Sequence, residues 1–319
     1  MAIKPYSYLL GIEQTCGTTP TGADLKPWDM CISEDGITCE AEYGDAVQCF
    51  GDVDAGGEQD EVGLKIGGSV TTKGYYEQLP IFLKLILGNG TDADNGDGTF
   101  THTYKSSTDN QLCAYAQTIV GKNDEHFSIV NGLKADKLSI NIEKRKSAEF
   151  SVSFLGGKYD DNVKNTALAK LDEANKIALS KTPIVYRSVE VKIDDVADCN
   201  LNSISVDIDR GLKEYDALCK DEKSDIEATQ LAVTGKLQSV WTSDLYAKLF
   251  DGNKHKVEIT VYGKNNNKIY IKMSEVQFKC KTQPKKVNER YDIDIEFNAA
   301  KITGTDKVEV AVTNTVASY

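Results

Sequence analysis

The residues of this sequence that could do chemistry are three histidines, eight cysteines and one cluster of aspartates. His102, His126 and His255 stand apart, and none belongs to a His-Glu-x-x-His metal motif. The cluster Asp92-Ala-Asp94-Asn-Gly-Asp97-Gly98 has the alternating acids of a calcium loop, but Thr103 stands where an EF-hand needs its bidentate glutamate. We therefore predict a hairpin or loop turn at this cluster, no metal site, and histidines that are exposed or hydrogen-bonded.

The cysteine pattern fits neither a zinc site nor a redox motif, because no two cysteines are separated by only two residues. The first residues, Met1–Tyr6, lack the basic and apolar segments of an export signal. We therefore predict free, mostly buried thiols in a reducing cytoplasm rather than a disulfide framework. The cysteines are at positions 16, 31, 39, 49, 113, 199, 219 and 280.

Motifs for catalysis and cofactor binding are missing. There is no Gly-x-Ser-x-Gly elbow, no phosphate-binding loop and no dinucleotide fingerprint. The sequence thus predicts a protein without catalytic residues or cofactors, although a triad assembled only in space would leave no such motif. The net charge of -12 argues against binding the phosphate backbone of nucleic acid. The longest apolar run, Ile81–Leu87, contains Lys84 and is too short to span a membrane.

The elements that would position any site are mainly strands. Apolar residues alternate with polar ones in many segments, which predicts strands with one face on a core. Two segments, Tyr75–Leu87 and Ser243–Phe250, have helical spacing, with Ser243 as a candidate N-cap and Gly252 as a stop. A third, Thr166–Leu179, could be a linker helix. Turns are predicted at 95–98, 131–132 and 263–267. The predicted strands are centred on residues 62–66, 138–142, 150–154, 189–193, 204–208, 231–233, 257–261 and 293–297.

The two halves of the sequence resemble each other. Leu64-x-Ile66-x-Gly68-x-Val70 matches Leu231-x-Val233-x-Gly235-x-Leu237, and each segment is followed by a short helix that ends in Lys-Leu-x-x-Gly. A late strand pair joined by a basic turn also occurs in both halves. We therefore predict an internal duplication. The expected organisation is a first domain at 1–157, a linker at 158–183 and a second domain at 184–319.

An acidic segment interrupts the first half. From Cys31 to Leu64 there is no Lys or Arg, and the part at about 40–62 is rich in glycine and lacks periodicity. Such a segment is either a solvated loop or an arm that becomes ordered on another subunit. We select acidic contact residues from it, with basic partners in the hairpin turns of both halves. The acidic candidates are Glu42, Asp45, Asp52, Asp54, Glu58, Asp60 and Glu61, and the basic candidates are Lys144, Arg145, Lys146, Lys285 and Lys286.

The opening segment Gly11-x-Glu13-x-x-x-Gly17-Thr18-x-Pro20 resembles the start of many phage tail tube proteins. Trp28, the acidic arm, the strand around Gly68 and the helix that ends at Gly88 follow in the order of that family. Phe100–Tyr104, Phe127-Ser128 and Leu138–Ile142 continue it, so the similarity covers most of residues 6–157.

The resemblance implies a mainly β fold of two tandem tail-tube-type β-sandwich or barrel domains, each with a short flanking helix. Such domains form rings whose inner sheets close into a barrel, and the rings stack head to tail into the tail tube of a long-tailed (siphovirus-like) phage. Several family members are single domains in hexameric rings, so a duplicated chain predicts trimeric rings with pseudo-sixfold symmetry. The implied partners are further copies of the chain, the tape measure protein and DNA passing through the lumen. The implied location is the virion tail, after assembly in the host cytoplasm.

Other interpretations remain open. The same fold would serve a tail terminator, the inner tube of a contractile device or a baseplate ring. A secreted or surface β-sandwich that binds carbohydrate is a further alternative, but it would bring an export signal and exposed aromatic residues, and the sequence shows neither. An enzyme ranks last.

Overall fold

The computed structural model is mainly β, as predicted, with two short helices. One cluster of buried hydrophobic side chains extends through both halves of the chain. The residues that the structure describes are 5–18, 20–21, 24–43, 61–106, 111–120, 126–144, 146–162, 165, 168, 171, 176–184, 188–198, 201–215, 225–240, 242–280, 292–301 and 304–319.

The strands form wherever apolar and polar residues alternate, because this pattern gives each strand one core face and one solvated face. The elements of the first half are β1 (Pro5–Ile12), β2 (Trp28–Asp29), β3 (Glu34–Asp35), β4 (Thr38–Tyr43), β5 (Glu61–Lys73), α1 (Leu79–Leu87), β6 (Thr91–Asp94), β7 (Phe100–Lys105), β8 (Cys113–Val120), β9 (His126–Glu143), β10 (Glu149–Leu155) and β11 (Lys158–Asp161). Those of the second half are β12 (Ile177–Ala178), β13 (Ser188–Ile193), β14 (Val196–Asp198), β15 (Leu201–Asp209), β16 (Leu212–Tyr215), β17 (Asp225–Ala228), β18 (Ala232–Val240), α2 (Ser243–Phe250), β19 (His255–Tyr262), β20 (Lys268–Cys280), β21 (Asp292–Ala299) and β22 (Glu309–Asn314).

The two helices differ in burial. In α1 every residue except Lys84 is buried, as expected for a helix that is apolar on all sides. It begins at Leu79 rather than at Tyr75, with Pro80 in its first turn, where a missing N–H costs nothing. Helix α2 has the predicted bounds, but Thr242 is its N-cap instead of Ser243, since the Thr242 hydroxyl accepts a hydrogen bond from the Leu245 N–H at 3.3 Å.

Strand pairing follows one order in both halves. In the first half, β1 pairs with β8 and β8 with the beginning of β9, while the end of β9 pairs with β10 and β10 with β5. In the second half, β13 pairs with β19 and β19 with the beginning of β20, while the end of β20 pairs with β21 and β21 with β18. The outermost positions are taken by β4 beside β5 and by β15 beside β18.

The halves are also joined to each other. Strand β9 pairs with β15 along seven residue pairs, from Glu143 opposite Ser203 to Lys137 opposite Asp209. Strand β7 of the first half pairs with β22 near the end of the chain, and β2 pairs with β12. Within the predicted linker, β11 and β12 both pair with strands of the first half. Most of the predicted helix at 166–179 lies outside the described residues, and Ile177–Ala178 is a strand.

The turn predicted at Asn131-Gly132 is wrong. Both residues lie inside β9, next to a β-bulge in its pairing with β8. Gly132 has φ 68, which a bulge accommodates as readily as a turn does. The other two predicted turns are present, between β6 and β7 and between β19 and β20.

Candidate assembly surfaces

The largest feature of the fold is a sheet shared by both halves. Strands β3 and β4 keep one register against β5 and act as a single edge strand, here called β3/β4. Eight strands then lie side by side in the order β3/β4, β5, β10, β9, β15, β18, β21, β20, each antiparallel to the next. One face of this sheet carries the core side chains, such as Val70, Phe154, Val206 and Phe297.

The opposite face is polar from edge to edge. Hydroxyl and amide groups form a row across it, in which the Ser139 hydroxyl donates to Asp207 at 2.5 Å. A neighbouring row carries charges of alternating sign, and Lys236 pairs there with Glu296 at 3.3 Å. The first row is Thr71, Ser151, Ser139, Asp207, Thr234, Asn298 and Gln277, and the second is Lys73, Glu149, Asn141, Ser205, Lys236, Glu296 and Lys279.

This face is therefore hydrophilic, but its described side chains present no cluster of cations to a polyanion. Its lysines have acids as cross-strand neighbours, which neutralises them locally. Binding to a DNA backbone depends on unpaired Lys and Arg that release counterions. The charge pattern of this face therefore does not favour adhesion of a polyanion.

The sheet ends in two open edges. Among the described strands, β4 pairs only with β5, and residues 277–280 of β20 pair only with β21. The Gly36 N–H donates inward to the Ser69 carbonyl at 2.9 Å. Because N–H directions alternate along a strand, the Ala41 N–H points outward from the edge, while the Ile37 N–H donates to the Asp35 carboxylate at 3.2 Å. A strand edge without a neighbouring strand is a template for another strand.

The acidic and basic candidates lie at opposite ends of this sheet. Glu42 and Glu61 stand where β4 and β5 meet the acidic segment. Lys144 and Lys146 stand in the β9–β10 turn, beside the other end of β5. Of the two sets, the four described residues Glu42, Glu61, Lys144 and Lys146 thus lie at separate ends of the sheet. Asp45, Asp52, Asp54, Glu58, Asp60, Arg145, Lys285 and Lys286 lie outside the described residues.

The basic turn is already partly neutralised. Lys146 and Glu143, both exposed, form an ion pair of 2.5 Å, and this hydrogen bond raises the pKa of Lys146. An exposed pair of this kind contributes little to stability. Lys144 anchors the turn through its backbone N–H, which donates to the Asn202 carbonyl at 2.9 Å, while its side chain is exposed. Lys144 is thus the more available charge for a neighbour.

The glycine-rich opening motif has a structural role. The buried Glu13 carboxylate accepts hydrogen bonds from the Gly17 N–H at 2.6 Å and the Gly132 N–H at 2.8 Å. Burial raises the pKa of Glu13, although both of these hydrogen bonds oppose the shift. Glu13 therefore fixes the turn after β1 against the bulge of β9.

The prediction of free thiols is wrong for two cysteines. Cys16 and Cys113 form a disulfide, because the pairing of Ile12 with Ala114 brings the end of β1 beside the start of β8. The compartment argument overlooked this proximity, which no sequence spacing reveals. Glu13 lies close to both sulfurs, but its oxygens accept backbone hydrogen bonds and the sulfurs are bonded to each other, so this group does not form a metal site.

The described histidines have structural surroundings. His102 is buried between Asp92, at 2.7 Å, and the Val316 carbonyl, at 2.8 Å. His255 is buried between Asp194, at 2.7 Å, and Asp251, at 3.1 Å. His126 is exposed. None of these arrangements includes a nucleophile.

The aspartate cluster is a hairpin turn, as predicted. Asp97 accepts hydrogen bonds from the Thr99 hydroxyl at 2.6 Å and from Asn266 at 3.0 Å, and these bonds lower its pKa. Asp92 is engaged by His102. These contacts use the carboxylates within the fold.

Sequence reasoning missed the open edges. Glu40 on β4 and Lys279 on β20 are exposed at opposite edges, and neither was selected. The repeat contained the information needed to locate these edges. Strands β9 and β20 are equivalent, as are β4 and β15, and among the described strands β9 pairs with β15 whereas β20 and β4 do not pair with each other. Comparing the halves strand by strand would have indicated the two unpartnered edges.

Fold and surfaces together define a mainly β protein whose extended sheet has one polar face and, among the described strands, two edges without a neighbouring strand. The chain belongs to the phage tail tube protein family, whose model matches residues 7–316, nearly the whole sequence. Among curated proteins, none matches this sequence. Family membership makes the chain a structural component of a phage virion tail. Among the described residues, no helix has the length and apolar character needed to cross a membrane.

Proposed function

We propose that this chain builds the tail tube as stacked rings, each made of three copies, through which DNA passes into the host. The observation that carries this proposal is the eight-stranded sheet with two open edges. Each half contributes four strands in the same order, which supports a duplicated tube domain at 1–157 and 184–319. A ring of three chains then has six such units and pseudo-sixfold symmetry.

Strand pairing between neighbouring copies would favour ring closure. The edge of β20 in one copy is antiparallel to the edge of β3/β4 in the next, so pairing continues the alternation of the sheet without a break. Eight strands from each of three chains would close a barrel of 24 strands. At a spacing of about 4.8 Å, its backbone diameter would be roughly 37 Å with upright strands and about 48 Å at a typical tilt. This leaves room for duplex DNA inside the side chains.

The polar face is the proposed lumen surface. The opposite face is covered by the core and the outer strands, so the polar face is the one left to line a channel. Its mixed charges and hydroxyl rows resist adhesion of an anionic duplex. The tape measure protein is the proposed occupant of the lumen before DNA.

Stacking is proposed to join the acidic end of one ring to the basic end of the next. The chain ends its sheet with the acidic segment on one side and the Lys144–Lys146 turn on the other. A head-to-tail contact of this type does not close on itself and generates a tube. Opposite charges at the two ends favour one orientation and speed encounter.

Electron microscopy of the purified protein tests the function. Tubes or rings with three chains per ring support it. Six chains per ring would contradict the trimer, and monomers that bind a glycan array would favour a carbohydrate-binding protein. Rings that never extend into tubes would favour a terminator or baseplate ring.

The charge contact has its own test. We expect K144E/K146E to slow tube growth, measured by light scattering, by about tenfold at low salt. The control K254E/K264E changes the net charge equally at exposed positions away from this turn, and we expect it to assemble at the wild-type rate. Equal rates for both variants would contradict the stacking contact.

A further inference from the structure

The junction between the two halves is an observed example of how one repeat joins the next. Strand β9 meets β15 with Lys137 opposite Asp209 and Leu138 opposite Ile208. At the two ends of this paired segment, the Arg210 N–H donates to the Asp136 carbonyl at 2.7 Å and the Lys144 N–H donates to the Asn202 carbonyl at 2.9 Å. Since these pairs alternate with non-hydrogen-bonded ones, Lys137 and Asp209 form a non-hydrogen-bonded pair.

The repeat fixes which residues are equivalent. Phe154 lies opposite Gly68 in the first half, and Phe297 lies opposite Gly235 in the second. A Cβ at Gly235 would come within 2.3 Å of the Phe297 ring, so glycine makes room for the phenylalanine there. These two pairs align β5 and β10 with β18 and β21; the pairing of β10 with β9 has a bulge between Ser153 and Phe154, so β9 is aligned from Ser153 onward.

The same alignment extends to the strands at the junction. Ser153, next to Phe154, lies opposite Lys137, and Glu296, next to Phe297, lies opposite Lys279. Lys279 is therefore the equivalent of Lys137.

At the other edge, β3/β4 is the equivalent of β15. Gly67 lies opposite Thr38 and Thr234 lies opposite Asp207, which makes Thr38 the equivalent of Asp207. Two residues further on, Glu40 is the equivalent of Asp209. Inside the chain the Lys137 ammonium forms its ion pair with Asp207 at 3.4 Å, and Asp209 accepts a hydrogen bond from the Gly211 N–H at 2.7 Å. What recurs on the two open edges is therefore the position of a lysine opposite an acid in the strand register.

We infer that β20 of one copy pairs antiparallel with β4 of the next copy in the register that sets Lys279 opposite Glu40. This inference rests on the proposed ring and specifies its contact residue by residue. The same register sets Cys280 opposite Cys39, where Leu138 faces Ile208 within the chain.

Hydrogen-bond directions agree with this register. The Arg210 N–H crosses the internal junction, and its equivalent on the open edge is Ala41, whose N–H points outward. The Glu40 N–H points inward, toward Lys65, so Glu40 occupies a non-hydrogen-bonded site toward the neighbour, as Asp209 does.

Other registers are disfavoured. A slip of one residue would turn the side chain of Lys279 toward the core of the sandwich, which burial forbids. A register shift of two residues would set Lys279 opposite Thr38 or opposite Glu42. The register with Thr38 opposite Lys279 has no opposite charges at this pair, and neither shifted register matches the internal junction. A second copy of this chain is the occupant that offers both the complementary edge and the complementary charge.

Disulfide trapping tests the register. Residues in a non-hydrogen-bonded pair have Cα atoms about 4.5 Å apart, within the range of a disulfide, whereas diagonal neighbours are about 7–8 Å apart. In a C39S/C280S background, we expect E40C/K279C to give a covalent trimer on a non-reducing gel after mild oxidation. The off-register control E40C/Q277C should give about tenfold less.

The outcomes separate the two proposals. Tubes seen by microscopy with more cross-linking in E40C/Q277C, or with none in either variant, would overturn the register and leave the function standing. Absence of rings and tubes from the wild-type protein would overturn the proposed function itself.

Charge exchange gives an independent check. E40K alone should slow assembly about tenfold, because two lysines would then face each other across each ring contact. E40K/K279E restores the opposite charges and should recover most of the rate. Failure of this second variant to recover assembly, while E40K remains folded by circular dichroism, would contradict the inferred pairing.

Discussion

The Cys16–Cys113 disulfide makes a sharp prediction about stability. It closes a loop of 97 residues in sequence separation, which includes β2 to β7 and α1. Constraining a loop of this length in the unfolded chain corresponds to about 4.7 kcal/mol in the chain-entropy relation, and losing a native disulfide commonly costs about 2–5 kcal/mol. We expect reduction to lower the free energy of unfolding by about 3–5 kcal/mol.

Urea denaturation followed by tryptophan fluorescence measures this loss. With a slope of about 3 kcal/mol per molar urea, the midpoint should fall by about 1–1.7 M when the wild-type protein is reduced. Trp28 is a suitable fluorescent reporter, because it is buried on β2. Strand β2 pairs with β1, which ends shortly before Cys16. The C16S/C113S variant should show the lower midpoint without any reductant.

The variant also supplies the control. Adding dithiothreitol to C16S/C113S should leave its midpoint unchanged, because the bridge is absent from this variant and Cys31 and Cys39 form no disulfide. An unchanged midpoint for reduced wild-type protein would refute the reasoning. So would an intact mass, after alkylation without reductant, that shows Cys16 and Cys113 both modified.

Two further predictions concern the edge and a buried histidine. A41P should fold but form no rings by microscopy, because proline removes an N–H that points outward from the edge. E40P should lower the melting temperature, because it removes an N–H directed at β5. Equal behaviour of the two variants would contradict the assigned edge. Burial alone would lower the pKa of His255, but its contacts with Asp194 and Asp251 outweigh burial and raise it. The stabilisation of the fold by charged His255 should therefore be complete below its ordinary pKa of about 6.5 and be lost as the pH rises through the raised pKa. The melting temperature of H255Q should then differ from that of the wild type at pH 6 and match it at pH 9. A difference in melting temperature that does not depend on pH would contradict this account.

Much of the fold could be predicted because its signals are local. Ile293, Ile295 and Phe297 alternate with polar residues and are all buried on one face of β21. The bounds of α2 were correct because its last turn and Gly252 mark the end and a hydroxyl residue caps the start. Where the side-chain pattern and the cap lie within a few residues of each other, sequence is enough.

The remaining features depend on contacts between distant residues. The pairing of β7 with β22 joins Phe100 to Asn314, and nothing near either residue indicates the other. Arg210 is buried and donates to the Ile86 carbonyl at the end of α1 at 2.6 Å, a role that an isolated arginine does not reveal. Gly132 fits a turn and a bulge equally well by its φ preference, so only the strands on either side decide.

The candidate surfaces were predicted by charge but not by geometry. Composition indicated the acidic segment and the basic turn, and the register of β5 places them at opposite ends of one sheet. The alternation of apolar and polar residues does not reveal the two edges, because an edge strand and an inner strand of this sheet share it. Strand pairing distinguishes β4 from its equivalent β15, which already has a partner on each side.

The difference between β15, which is paired on both sides, and β4, which is paired on one, separates the junction within the chain from the open edges. The internal junction sets large aliphatic residues, Leu138 and Ile208, on its core side, since it forms once during folding and never faces water. The equivalent positions at the open edges are Cys39 and Cys280, which are smaller, with the charged residues Glu40 and Lys279 beside them. An edge that must stay soluble until a second copy arrives is protected by charge and by a less apolar surface. In the proposed ring, the junction within each chain would take its register on folding, and the junctions between copies would be the contacts that assembly has to form.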